Sequence, residues 1–81
     1  MARAVTGVDK LPDLAPIESS MFDGHHYDPQ SRQMTVRFKN GAVHTYEDVP
    51  VEKHTAFVGN QSPGRYFNEN IKNNFAGRKR T

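Results

Sequence analysis

Residues 62–75 read Ser62-Pro63-Gly64-Arg65-Tyr66-Phe67-Asn68-Glu69-Asn70-Ile71-Lys72-Asn73-Asn74-Phe75, and the fold is decided there. Ser62 has the side-chain oxygen of an N-cap, and Pro63 has the preset φ and missing donor that suit a first helical position. Phe67, Ile71 and Phe75 recur every fourth residue, which predicts a short amphipathic helix docked by two aromatics and ended by Gly77. Beyond it the chain turns basic, with Arg78, Lys79 and Arg80 in succession.

Upstream of that helix, Pro50 favours a helix start. Val51, Thr55 and Val58 share a face, Phe57 adds an aromatic, and Gly59 can close about two turns in the left-handed conformation. From Ile17 to Asp48 the period changes to two. Phe22 and Tyr27 bracket a first strand in which Gly24 marks a bulge, and Asp28-Pro29-Gln30-Ser31 is a turn. Met34, Val36 and Phe38 then alternate with Thr35, Arg37 and Lys39, so one face of this strand is core and the other polar. Asn40-Gly41 signals a type I′ hairpin into a third strand, Ala42 to Glu47. The order predicts an α+β fold: a three-stranded antiparallel β-meander followed by two short helices packed on one face. Pro12 and Pro16 break the segment before it, giving a flexible arm (1–16), a domain (17–76) and a basic C-terminal tail (77–81).

Eighty-one residues make one domain, and a domain that small buries only about 60% of the surface its unfolded chain exposes. Little core remains to hold a deep catalytic cleft. The absence of cysteine removes disulfides, thiolate zinc sites and thiol nucleophiles, and it fits a reducing compartment. No long apolar run occurs and the first ten residues lack the apolar stretch of a secretory signal, so a soluble, cytoplasmic protein is expected.

The formal charge is +2, but it is unevenly placed. Arg65, Lys72, Arg78, Lys79 and Arg80 face a single acid, Glu69, within residues 65–81, a local sum of +4 that leaves −2 for the rest. Clustered cations attract phosphate at long range, whereas a solvated tail that keeps a small domain in solution is the plainer alternative.

A wider pattern joins Ser19-Ser20, Gly24 to Asp28, Val36-Arg37-Phe38, Asn40-Gly41, Tyr46, Val49-Pro50 and Ser62-x-Gly64-x-Tyr66-Phe67-Asn68-x-x-Ile71. It resembles the KTSC domain, named for its occurrence at the C-terminus of some lysyl-tRNA synthetases and found alone in small bacterial and phage proteins. The likeness spans roughly Ile17 to Phe75, and the Ser-x-Gly-x-Tyr-Phe-Asn element is its most specific part. It implies a domain of unknown function with a suggested RNA-binding role, a suggestion resting on association with a synthetase. The family's Tyr-x-Tyr appears here as His44-Thr45-Tyr46, and the small residue usual before Tyr27 is His26.

Candidate chemistry follows from placement. His44 and Tyr46 lie two apart on one strand and share a face, so they offer a stacking platform for bases, unless Tyr46 is an ordinary core aromatic. Arg37 and Lys39 on the polar face, with Arg32 and the Arg65/Lys72 helix, can contact phosphates; a charged solvent face is the alternative. His25 and His26 point to opposite faces and His54 has no partner one turn on, so no metal or other cofactor is expected. No strained turn carries a serine nucleophile, and Ser19-Ser20 cap or hydrogen-bond the start of a strand. Asn68 is expected to bury a hydrogen bond to a loop backbone, while Asn70, Asn73 and Asn74 lie nearer the exposed side.

The expected function is a non-enzymatic module that binds nucleic acid, RNA in particular, through Arg37, Lys39, His44, Tyr46, Arg65, Lys72, Arg78, Lys79 and Arg80. The rival is a protein-interaction module, phage-encoded, docking on a host or phage protein through the sheet edge or the arm. An exposed edge also allows a weak dimer beside the monomer.

Overall fold

The computed structural model describes residues 12–80. Three strands follow one another, β1 (Phe22–Asp28), β2 (Gln33–Phe38) and β3 (Val43–Tyr46), then two helices, α1 (Val51–Gly59) and α2 (Pro63–Asn70), and finally a fourth strand, β4 (Gly77–Lys79). The sheet order is β1-β2-β3-β4, every pairing antiparallel. The α+β class stands, but the meander has four strands, not three. What reads as a loose tail is an edge strand: His44, Thr45 and Tyr46 pair with Lys79, Arg78 and Gly77. The Glu47 N–H to the Ala76 carbonyl (2.9 Å) and the Arg80 N–H to the Val43 carbonyl (2.7 Å) extend the ladder at either end.

Local chemistry sets the turns. After β1, the Asp28 carboxylate accepts from the Gln30 N–H (3.0 Å) and the Ser31 hydroxyl (2.9 Å), and Arg32 takes a φ of 59° before β2 begins. The β2–β3 hairpin is not type I′. The Gly41 N–H closes onto the Phe38 carbonyl, the Phe38 N–H onto the Ala42 carbonyl, and Gly41 alone in this turn has positive φ, 96°. That is a three-residue loop ending in a glycine bulge. The register shift between Phe22 and Gly24 is the bulge read from the sequence.

Pro63 opens α2, although Ser62 makes no side-chain cap bond. The helix stops at Asn70, not Gly77. Turns carry the chain onward, with Ile71 fully buried and Phe75 packed at the core margin. Helix α1 buries Phe57; the face chosen by Val51, Thr55 and Val58 points outward, Val51 being 51% exposed. Gly59 ends α1 without left-handed φ. Both helices cover the face of the sheet that carries Phe22, Met34, Val36 and Tyr46. Phe22 meets Phe57 and Phe67 edge-on at 5.3 and 5.0 Å, a geometry that favours aromatic quadrupoles.

The expected arm is only partly within the described residues, since residues 1–11 lie outside them. Ala15 exchanges two backbone hydrogen bonds with His25 (2.8 and 2.9 Å), tying that stretch to the β1 edge. Among the described residues no helix is long and apolar enough to cross a membrane.

Candidate functional site

Side chains alternate along a strand, so pairing Arg78, Lys79 and Arg80 with β3 sends consecutive cations to opposite faces. Lys79 sits across from His44 on the helix-covered side, whereas Arg78 sits across from Thr45 on the outer face. The Arg80 Nη1–H donates to the Thr45 hydroxyl (2.8 Å), which puts it on the outer face too. Arg37 shares that face from β2, paired across from Val43. Lys39 lies in the β2–β3 turn, and Lys79 lines a shallow hollow beside Asn40, Gly41 and Ala42. The outer face therefore carries Arg37, Arg78 and Arg80, with Arg37 turned to Asp23 on β1, while Lys39 and Lys79 lie at the end of the sheet by the β2–β3 turn. Arg65 and Lys72 stand apart on α2 and the turn after it, so the C-terminal cations do not form one continuous surface.

Acids accompany several of these groups. Arg37 Nε pairs with Asp23 at 2.5 Å, Arg65 with Glu69 at 3.2 Å one helical turn away, and Arg78 with Glu47 at 3.5 Å. All three pairs are solvent-exposed, and such pairs contribute only about 0–1 kcal/mol each. They yield readily to a competing anion. Among the described residues neither Lys39 nor Lys79 is ion-paired.

The His44–Tyr46 platform is not there. The two do share the helix-covered face, but Tyr46 is 5% exposed, its ring edge-on to Phe67 at 5.3 Å, and burial pushes its hydroxyl pKa up. Tyr46 is a core aromatic with no face left for a base. His44 is half-buried against Phe38, ring centroids 5.2 Å apart.

The outer face has a polar centre. His26, Thr35, Thr45 and Arg78 lie in one cross-strand row. Thr35 and Thr45 are buried there with hydroxyls 2.9 Å apart. Sequence periodicity marks Thr35 as polar but cannot show that Thr45 is its partner, because the match depends on hairpin register.

A third region is built from the sequence's most specific motif. Ser19, Ser20, Met21, Ser62, Gly64 and Asn68 line a groove of about 520 Å3, with Glu18, Arg65 and Glu69 at its margins. A Cβ on Gly64 would stand 3.0 Å from the Met21 sulfur, so glycine lets α2 approach this segment closely. Ser19 Oγ accepts from the Met21 and Phe22 N–H groups (3.0 and 3.3 Å), as a residue at a strand start should. Asn68 is exposed in this groove and does not make the buried bond expected of it. The Asn70 and Asn74 amides instead donate back one turn, to the Tyr66 and Asn70 carbonyls.

Two histidines meet across elements, which the spacing along the chain could not show. His25 Nδ1 lies 3.0 Å from His54 Nε2, bridging β1 and α1, and His54 stacks on Tyr27 at 5.0 Å. Burial first, and then the neighbouring His25 and His26, hold the His54 pKa down at about 4; burial also lowers that of His25. Among the described residues no group of three or more His, Asp or Glu side chains could hold a metal ion.

Comparison with known proteins accords with this architecture. The KTSC domain model matches residues 18–75. A protein of Tsukamurella paurometabola is 34% identical over 62 residues, covering 76% of this chain and 92% of its own. A lysine–tRNA ligase of Nostoc sp. is 29% identical over 72 residues, covering 89% of this chain but 13% of the ligase. The crystal structure of a KTSC domain protein from Yersinia pestis superposes with a TM-score of 0.79 at 33% identity, covering 85% of this chain and 97% of that one. The strand β4 lies beyond the matched residues 18–75 yet completes the sheet. The chain belongs to the KTSC domain family.

Proposed function

We propose that this chain is a non-enzymatic binding module that contacts the RNA backbone with the outer face and the β4 end of its sheet. The observation that carries the reading is the placement of Arg78 and Arg80 by β4 on the same outer face as Arg37, with Lys39 and Lys79 at the end of the sheet by the β2–β3 turn. Arginine and lysine there can exchange weak surface carboxylate pairs for phosphates, each contact adding a salt-dependent increment to affinity. Resemblance to a lysine–tRNA ligase, a protein named for tRNA, supports the choice of nucleic acid. The site residues of this reading are the five sheet cations; Tyr46 serves the core, and Arg65 and Lys72 lie apart from it.

A fluorescence titration with tRNA and single-stranded oligonucleotides tests it. Binding should weaken steeply with salt, and Lys39→Gln with Lys79→Gln should reduce the log–log salt slope by about 1 per lost phosphate contact. Absence of binding at low salt removes the proposal.

One observation favours a second reading. The residues of the most specific motif meet in the Ser19–Ser62–Asn68 groove, which carries both signs of charge and no cation cluster. A protein segment docking there is recovered by affinity capture as one stoichiometric partner that nuclease does not remove.

A further inference from the structure

The polar centre of the outer face opens into a cavity of about 230 Å3 lined by His26, Asp28, Gln33, Thr35, Arg78 and Arg80, with Pro12 at its rim. Thr35, at 2% exposure, forms the floor. The hydroxyl chain beneath it has a direction available to it. Arg80 donates to the Thr45 oxygen at 2.8 Å, so Thr45 can give its own hydrogen to Thr35, 2.9 Å away, which leaves the Thr35 O–H available to a ligand in the cavity that Thr35 lines. Two guanidinium groups, a hydroxyl and the Gln33 amide then converge on one small space. Such a donor set matches an oxyanion, since charge-assisted and bidentate hydrogen bonds from arginine favour tetrahedral or planar oxygen groups.

The acids set a limit on the ligand. Glu47 stands 3.5 Å from Arg78, and Asp28 lines the cavity while its oxygens accept from the Gln30 N–H and the Ser31 hydroxyl in the β1–β2 turn. Hydrogen bonding from Ser31 and Gln30 lowers the Asp28 pKa, which keeps it charged at neutral pH. A ligand must therefore place its negative oxygens on the β4 side and a neutral or donating group near Asp28.

We propose that this cavity binds a small phosphate-class oxyanion, with Arg78 and Arg80 supplying charge, Thr35 and Gln33 supplying neutral donors, and Asp28 weakening the binding of highly charged species. The site shares Arg78 and Arg80 with the RNA reading but not Lys39 and Lys79, which lie outside the cavity, so changing the two lysines separates the two. Inorganic phosphate and a phosphate monoester share the chemistry, and the space is too small for a run of nucleotides.

The test is an amide NMR titration of the full chain at fixed ionic strength with inorganic phosphate, with glycerol phosphate, with an unphosphorylated oligonucleotide and with chloride as reference. Saturable shifts should cluster at Thr35, Thr45, Arg78 and Arg80 with phosphate or the monoester; the one bound more tightly identifies the source. Arg78→Gln, an exposed edge-strand change, should weaken binding about tenfold, as loss of a charge-assisted hydrogen bond does. Asp28→Asn should tighten it severalfold, and Lys39→Gln with Lys79→Gln should leave it unchanged. Shifts no larger than with chloride, an unaltered affinity in Arg78→Gln, or a weaker one in Asp28→Asn overturns the proposal. Loss of oligonucleotide binding alone counts only against the RNA reading.

Discussion

The two faces of this sheet solve the same problem, burial, with opposite chemistry. The helix-covered face is closed by aromatic packing, with Phe22, Phe57 and Phe67 in edge-on contact over Met34 and Val36. The outer face buries hydroxyls: Thr35 and Thr45 bond one another at its centre, beside arginines supplied by the far end of the chain. Apolar packing is non-directional and tolerates approximate partners, whereas buried hydroxyls need specific ones. The helix-covered face thus holds the fold together, and the outer face is where selectivity for a polar ligand can be built.

Removing the centre of the aromatic cluster is the strongest way to sharpen this contrast. Phe67 is 1% exposed and contacts Phe22, Phe38, Tyr46 and Phe57. Phe67→Ala should cost about 3–5 kcal/mol, a large share of the stability of so small a domain, measured by urea denaturation. A loss under about 1 kcal/mol would show that the polar face carries the fold instead.

The second prediction tests how the outer face acquires β4. Gly77 packs under the Tyr46 ring so closely that an added Cβ would overlap its ring carbons. An aromatic lying over an edge glycine is a way of pinning register. Gly77→Ala should destabilise by about 1–3 kcal/mol. Hydrogen-exchange protection should fall first at Arg80, whose N–H bonds Val43, while the β1–β2 amides keep theirs. Uniform loss across the sheet would mean that β4 is no separable addition but part of the core's cooperative unit.

The same contrast governs what the sequence made legible. Met34, Val36 and Phe38 alternate, Gly24 interrupts β1 where the bulge falls, and Phe67 and Ile71 recur one turn apart; each signal is local and each placed its residue correctly. β4 gave no such signal. Gly77, Arg78 and Lys79 are all exposed, and their strand exists because β3, some thirty residues earlier, presents an unpaired edge. Helix α1 misled for a related reason: Val51, Thr55 and Val58 have helical spacing, but it is Phe57, which meets Phe22 and Phe67 from elsewhere in the chain, that is buried. The candidate site suffered most, since reading three consecutive cations as a tail hid their division between two faces.

The smallest expected effect concerns the adjacent pair that the two faces divide, His25 and His26. His25 turns to the helix-covered side and meets His54, while His26 joins the outer cavity. Burial holds the folded His54 pKa at about 4, below its ordinary 6.5, so the folded state disfavours the protonated ring and the unfolded chain does not. The contribution is full above pH 6.5 and is lost as pH falls towards 4, with the unfolded state taking up the proton first. Because the ring is only half-buried, screening by solvent reduces the loss to about 1–2 kcal/mol. Asp28, whose pKa is lowered by Ser31 and Gln30, acts with the same sign, but only as pH falls below 3.8, so a measurement that stops at pH 4.5 isolates the histidines. Urea unfolding at pH 7.5 and 4.5 should therefore show a smaller acid-induced loss for His54→Gln than for the parent chain. An equal loss in both would place the acid sensitivity elsewhere than in His54.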